Sequence, residues 1–352
     1  MAPDTDNTIR LKTPPIALVS IAIVAVGVVL FVLNLMLGSV SIPFEAFKEA
    51  VFGGEGSTYR AIILDYRLPQ AITALLAGIG LSVSGLLMQT LFRNPLADPS
   101  LLGISSGASL GVAFVVLLGT ATGLSVSTLS LWSTFGVTIA AFLGAFAVLL
   151  LILALSSRLK SMVSLVLVGI MIAYIAGSVT DVLKFFSQKE DVHTFVIWGF
   201  GSFSNVGKSQ LGYLAGTILV GTVMAFLLSK SLNLLLLGDR YAENLGLNLR
   251  RASLLTILVS GFLMAVITAF CGPIAFIGLA VPHLARFTYH TSNHFMLTPA
   301  TAVIGMDLAL LCNLIARLPG FDGNLPINSV TALIGAPIVI YVIFHRQKVL
   351  SK

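Results

Sequence analysis

Asp307 is the one carboxylate that falls well inside an apolar run of this sequence, and an ionisable group at that depth points first to proton or cation coupling. No basic residue accompanies it, so a hydrogen bond between helices accounts for it equally well. The five histidines, His193, His283, His290, His294 and His345, do not cluster at metal-ligand spacing. For His283 two roles are open, one facing a cavity and one making a structural hydrogen bond, and the second is the simpler. Gly207-Lys208-Ser209 looks like the end of a phosphate loop, yet five residues separate Gly201 from Gly207 where that loop requires four, so it is a chance match. Cys271 and Cys312 both lie in apolar runs without C-x-x-C spacing and read as small core residues. No catalytic constellation emerges, and the chain itself is expected to bind neither metal nor cofactor. Any energy for work must come from a partner.

A different kind of chemistry, recognition, is offered by Leu237 to Phe287. Here a polar insert, Gly238 to Arg251, separates two very apolar segments, and Tyr241, Leu245 and Leu249 recur in it at helical spacing among Asp239, Arg240, Glu243 and Asn244. So short an amphipathic piece cannot bury its apolar face alone. It is either a solvated loop or a docking element lying against a membrane surface or another protein. Docking gains weight because this is the longest insert on its side in the topology that follows.

The elements that must carry the insert are membrane helices. With 57% hydrophobic residues, 10% charged residues and a mean hydropathy of +1.01, the chain could not present a water-compatible surface as a globular protein. Its apolar runs reach the ~20 residues that a helix needs to cross a bilayer, and they lack the alternation of barrel strands. The expectation is an all-α polytopic membrane protein of about ten transmembrane helices: 16–38, 68–92, 100–119, 130–155, 162–186, 211–231, 252–271, 273–290, 297–316 and 327–344. Tails at 1–15 and 345–352 flank a single membrane domain, 16–344. The polar first tail and the long first run do not fit a cleavable signal. With both termini cytoplasmic, thirteen lysines and arginines fall inside and seven outside, as the positive-inside rule prefers. The net charge of +6 is scattered over span ends and does not call for nucleic acid.

Punctuation between the spans is informative. The largest external segment, Ser39 to Arg67, carries Glu45, Glu49, Glu55 and Asp65 and ends in Arg67-Leu68-Pro69, with proline suited to a first helical turn. Asn94-Pro95-Leu96-Ala97-Asp98-Pro99 makes a tight cytoplasmic corner. Directly after it, Gly103, Gly107 and Gly111, with Ser105 and Ser106 among them, give one nearly side-chain-free helix face, for packing or for lining a pathway. Ser156 to Ser161 is a short basic inner turn. Externally, Phe185 to Asn205 mixes charges with Trp198, Phe200 and Phe203, as an interfacial belt or an outer vestibule would. Gly272-Pro273 should break the seventh span, Gly278 and Pro282 disturb the eighth, and Gly335-Ala336-Pro337 kink the tenth, which needs covering protein or a water-filled cavity. Five spans per half means that any repeat relating the halves is inverted.

At these residues the sequence resembles the FecCD/BtuC-type permeases, the membrane subunits of type II ABC importers for iron–siderophores, haem and vitamin B12. The resemblance is carried by Arg67-Leu68-Pro69, by Met88-Gln89 through Asp98-Pro99 to Leu102–Ala108, and by Leu237-Gly238-Asp239 to Leu245-Gly246. It continues in Gly272-Pro273-Ile274-Ala275-Phe276-Ile277-Gly278-Leu279 with Val281-Pro282-His283-Leu284-Ala285-Arg286, and in Leu325-Pro326 to Leu333-Ile334-Gly335-Ala336-Pro337. It implies a homodimer in a bacterial cytoplasmic (inner) membrane, served by two cytoplasmic ATPases that hold ATP and Mg, and by an external binding protein that delivers a metal chelate. It also implies that Gly238, Asp239, Arg240, Glu243, Leu245 and Gly246 belong to two short coupling helices, and that Asn94, Leu96, Ser161 and Met162 form the inner gate. Arg67 and Arg317 become external docking arginines. A second arginine common in the family after Arg67-Leu68-Pro69 is Gln70 here, which leaves Arg60 as its substitute, and an acid common in the family is Asn313 here.

Together these imply alternating access driven by partner ATPases, with a wide pathway lined by small, hydroxyl-bearing or weakly apolar groups of spans five, eight and ten. Two other classes stay open. A proton-coupled secondary transporter would depend on Asp307, and a membrane enzyme would need a convergent polar site that the sequence does not show.

Overall fold

The computed structural model describes residues 16–38, 42–52, 58–118, 133–159, 161–318 and 325–350. The expected tail 1–15 and Glu55 lie outside them. The described residues are helical, without strands. Seven helices among them are long and apolar enough to cross a bilayer: Ile16–Met36, Tyr59–Leu91, Phe135–Ser156, Met162–Phe186, Lys208–Leu227, Leu249–Cys271 and His294–Ala316. Two shorter apolar helices, Ile104–Leu117 and Ile327–Val342, fall where the third and tenth spans are expected.

The first of these is α1 (Ile16–Met36). After it come α2 (Phe44–Phe52) and α3 (Thr58–Ala61), beside a small apolar core of Ile42, Ala50 and Ile63. The helical rod that begins with α3 finishes as α4 (Leu68–Leu91). The sequence predicts a helix start at Leu68, and the structure corrects this. A π-helical turn, Ile62–Arg67, widens the backbone just ahead of Pro69, so that Leu68 N bonds Ile63 O and the missing proline N–H breaks nothing.

α5 (Ile104–Leu118), α6 (Ser133–Ser156) and α7 (Met162–Phe186) follow, then α8 (Lys189–Gly199) and α9 (Lys208–Leu227). The polar insert holds α10 (Ser229–Leu236) and α11 (Asp239–Asn244). The last third is α12 (Leu249–Cys271), α13 (Ile277–Tyr289), α14 (His294–Ala316) and α15 (Ile327–Leu350), the last running beyond the expected span end at 344.

α4 and α12 form the wrapped centre, whereas α1 turns nearly all its surface outward. Glycine, alanine and serine along α4 let neighbours approach to backbone distance. Gly78 lies against the Gly305 carbonyl of α14 and Gly85 against that of Gly278 in α13, and a Cβ at either would overlap the facing backbone. Ser84 and Ser260 lock α4 to α12 reciprocally, each hydroxyl bonding the other's carbonyl at 2.8 and 3.0 Å.

The seventh span does break at Gly272, and the chain is non-helical to Phe276, with φ of +75° and +69° at its two ends. Other protein covers that stretch, as hydrocarbon depth requires. Ser202 N bonds Cys271 O at 2.7 Å, and Ala275 N bonds Asn328 Oδ1 at 3.1 Å. Further on, helical hydrogen bonding persists past the prolines expected to disturb or kink it. α13 continues through Pro282 and α15 through Pro337. Trp198 and Phe203, expected in an interfacial belt or vestibule, are core residues, and only Phe200 of the three is exposed.

Candidate coupling site and gate

Ser229 to Asn248 lies at one end of the helix bundle. The hydropathy pattern carries span six to residue 231, but α9 stops at Leu227 and the chain turns at Leu228 into the amphipathic α10, so the insert begins at Ser229 and not at Gly238. Leu232 and Leu235 bury the inner side of α10. Gly238, at φ +101°, reverses the chain into α11, a conformation that side-chain-bearing residues rarely adopt. Ala242 alone anchors α11 inward, and Gly246, at φ +85°, ends it. The remaining large apolar groups point outward: Tyr241 is 70% exposed and Leu245 61%, with Leu236 and Leu237 beside them. Leu249, read as the third member of that stripe, packs against the core instead as the first residue of α12. Asp239, Arg240 and Glu243 flank these apolar residues in the chain and are exposed.

Two polar anchors hold the insert. Asn233 Oδ1 accepts from the backbone N of His294 and bonds its Nδ1, each at 2.8 Å, while His294 Nε2 meets Thr90 Oγ1 at 2.8 Å. His294 thereby joins α10, α4 and α14, a role invisible in the sequence, where it is merely one of five scattered histidines. The second anchor is Arg93, at the α4 corner. Its Nε donates to Leu235 O at 3.2 Å and its Nη2 pairs with Asp239 Oδ1.

The same corner is tied to α13. Arg286 Nη1 donates to Gln89 Oε1 at 2.6 Å, Gln89 Nε2 donates to Leu279 O at 3.1 Å, and His283 Nε2 meets Pro95 O at 2.8 Å. His283 is thus structural. Asp98 accepts from Ser100 N at 2.9 Å and lies beside Gly278. Burial pushes its carboxyl above the ordinary range, against the lowering effect of Ser100. Of the expected gate residues, Asn94 Oδ1 caps Leu96 N at 2.9 Å, leaving the Leu96 side chain exposed, and Ser161 precedes α7, whose first residue is Met162. Corner, α7 start and insert enclose one cavity of about 510 Å³, lined by Arg93, Ser157, Met162, Leu235, Asp239 and Arg250 among others. Of the expected coupling and gate residues, Asp239 and Met162 line this cavity.

The expected docking arginines behave otherwise. Arg67 and Arg317, at the opposite end of the bundle, are only 3% and 7% exposed, which corrects their assignment to an exposed surface. Arg67 Nη1 donates to the carbonyls of Leu35 and Met36 at 3.0 and 2.6 Å, capping α1, and Arg317 Nη1 reaches Asn34 O at 3.5 Å. Burial, then the neighbouring Arg67 charge, push Arg317 down to about 10. Arg60 is half-buried with Nη1 at 3.4 Å from Ala50 O. Lys208, at the start of α9, pairs with Asp65 as an ordinary exposed lysine does. In the sequence, Gln70 and Asn313 read as two separate departures from the family pattern. They touch: Gln70 Nε2 donates to Asn313 Oδ1 at 3.1 Å, and Asn313 Nδ2 to Asn34 Oδ1 at 2.8 Å.

The small-residue positions divide. Gly107 and Gly111 pack against Gly144 and Ala140 of α6, whereas Gly103, at φ +77°, faces Gly169 of α7, so the three glycines do not share one partner. Ser105 and Ser106 are half-buried. Gly272 approaches the Trp198 carbonyl, the Pro273 carbonyl faces Gly201, and Gly335 meets the Phe276 side chain. Asp307 lies beside Gly27 of α1, with Oδ1 buried and without a hydrogen-bond partner among the described residues. Among those residues no group of three metal-binding side chains occurs.

Comparison with known proteins places this arrangement. The model of the FecCD transport family matches residues 25–345. The haemin transport system permease protein HmuU of Yersinia pestis is 36% identical over 288 residues, 82% of this chain and 84% of that protein. The vitamin B12 import system permease protein BtuC of Klebsiella pneumoniae is 36% identical over 285 residues, 81% and 83% of the two chains. A solved metal-chelate type ABC transporter in an inward-facing conformation superposes with a TM-score of 0.81 at 30% identity, over 94% of this chain and 99% of that one.

Proposed function

Because this chain belongs to the FecCD transport family of membrane permeases, we propose that it is the transmembrane subunit of an importer that moves a metal chelate, either an iron–siderophore, haem or cobalamin, by alternating access. The relatives named for haemin and vitamin B12 support that substrate class. The observation that carries the reading is the exposed apolar tip of Tyr241 and Leu245, flanked by charge and mounted on a braced insert. Such a surface suits the docking of a partner motor.

In this reading α10 and α11 sit at the cytoplasmic end and dock one ATPase per copy of a homodimer, with ATP and Mg held by the ATPases. Gly238, Asp239, Arg240, Glu243, Leu245 and Gly246 form the docking element, and Asn94, Leu96, Ser161 and Met162 the inner gate. The chelate passes along the outward face of α7, where Ser100, Tyr174, Gly177 and Ser178 line a recess of about 380 Å³ whose mixed polarity suits a chelate. The external binding protein docks on the α2–α3 unit, which carries Glu45, Glu49 and Arg60. That unit has a small core of its own, Ile42, Ala50 and Ile63.

The test is binding of the partner ATPase in detergent. Substituting Leu245→Asp with Tyr241→Ala should remove it while the thermal midpoint stays within about 1 °C, since exposed positions contribute little to folding. ATPase retained at wild-type affinity would refute the docking role.

A further inference from the structure

The backbone of Arg93 is in the left-handed region, at φ +47°, one of three such residues without glycine's freedom among those described. The local hydrogen bonds show why a glycine would suit the position. Asn94 N bonds Gln89 O and Arg93 N bonds Thr90 O, each at 3.2 Å, the pattern in which a helix ends on a left-handed residue, usually glycine. Arginine is the poorer choice for the backbone, and its side chain makes two contacts that glycine cannot. Both go to the insert, one to the last turn of α10 through Leu235 O and one to the first residue of α11 through Asp239. The next residue along the chain is Asn94, whose side chain shapes the turn that carries Leu96.

We propose that Arg93 is a positioning residue that transmits movement of the insert to the gate corner, and that it occupies a glycine-favouring site for that purpose. The inference rests on the importer reading above. A push on α10 and α11 moves Asp239 and Leu235 together, and Arg93 passes that displacement directly to Asn94, its neighbour in the chain. From there the Gln89–Arg286 and His283–Pro95 contacts extend the movement to α13. Without Arg93 the insert remains linked to the bundle through Asn233 and His294, but that route leads into α14 and to Thr90 in the last turn of α4, without a side-chain contact from the insert to the corner itself.

The proposal separates stability from coupling, because Arg93→Gly improves the backbone fit while removing the link. In the complete complex, Leu96→Cys provides a gate reporter, since the native Cys271 and Cys312 are buried. The measured quantity is the rate of maleimide labelling at Leu96→Cys with and without ATP and Mg. With Arg93 present the rate should change with nucleotide. With Arg93→Gly the thermal midpoint should be unchanged or higher, ATPase binding retained, and the nucleotide-dependent change reduced by about fivefold, the scale of a half-exposed ion pair plus one hydrogen bond. Arg93→Lys, which keeps the charge but not the forked geometry, should fall between. An unchanged nucleotide response in Arg93→Gly overturns the link, and so does loss of ATPase binding, which would place Arg93 in the docking surface. Failure of the ATPase to bind the Arg93-containing protein contradicts the importer reading instead.

Discussion

Removing the Asn313 side chain should cost more than removing its neighbour Gln70, and by an amount that the hydrogen bonds set. Asn313 is fully buried between two partners, accepting from Gln70 Nε2 at 3.1 Å and donating to Asn34 Oδ1 at 2.8 Å. Asn34 cannot turn to compensate, because its Nδ2 already donates to Leu30 O and Leu310 O at 2.8 and 3.0 Å. Asn313→Ala therefore strands one donor and one acceptor. At about 1 kcal/mol each, within the range for buried orphans and near the upper values inside membranes, the loss is about 2 kcal/mol. Gln70→Ala strands only the Asn313 oxygen, so the loss is about 1 kcal/mol. In the double variant neither the Gln70 donor nor the Asn313 oxygen exists to be stranded, and the combined loss should fall short of the sum by about 2 kcal/mol. The readout is unfolding in detergent followed by a thiol-reactive fluorophore, for which buried Cys271 and Cys312 are native reporters. Additive losses, within about 0.3 kcal/mol, would refute a direct Gln70–Asn313 bond. The pair also suggests a swap: Gln70→Arg with Asn313→Asp should be tolerated better than either change alone, since each alone buries an unmatched charge.

Three further outcomes follow from single contacts. Gly278→Val should destabilise by about 1 to 3 kcal/mol, because a side chain there meets Asp98 Oδ2 and Leu81 O where α13 crosses α4, and thermal unfolding checks it. Asp98→Asn keeps the cap on Ser100 N but carries no charge. Since burial raises the native carboxyl, its contribution to stability is complete below about pH 4 and is lost as pH rises through the raised value. The advantage of Asp98→Asn should thus grow as pH rises above the ordinary carboxylate range, and a flat difference in midpoint would contradict the assignment. Asp307→Asn should preserve ATP-driven uptake and not lower stability, since Oδ1 has no described partner to lose, whereas abolished uptake would favour proton coupling.

Much of this architecture is legible in the sequence because hydropathy reports lipid contact and burial directly. The long spans, the corner at Asn94 to Pro99 and the break at Gly272 stand where apolar runs and turn residues put them. α10 escapes such a reading, because Leu232, Leu234, Leu235 and Leu236 around Asn233 fit the end of a crossing helix as well as a helix lying across the bundle end. Pro69 is a misleading helix start because a widened turn can absorb a proline, and that turn depends on what surrounds it. Only the resemblance puts Arg67 and Arg317 on a surface, and the open carbonyls at the end of α1 draw them inward. Pairings across long sequence separation, such as Gly85 with Gly278, Gln70 with Asn313 and Arg93 with Asp239, require the fold itself.

The most direct test of the importer account is chelate uptake into sealed liposomes that contain this chain with its binding protein and ATPase, compared with liposomes lacking only the ATPase. Radiolabelled haemin, a ferric siderophore and cobalamin serve as probes. Uptake of at least one of them that requires both ATP and the ATPase is the predicted result. Uptake at the same rate without the ATPase would contradict it.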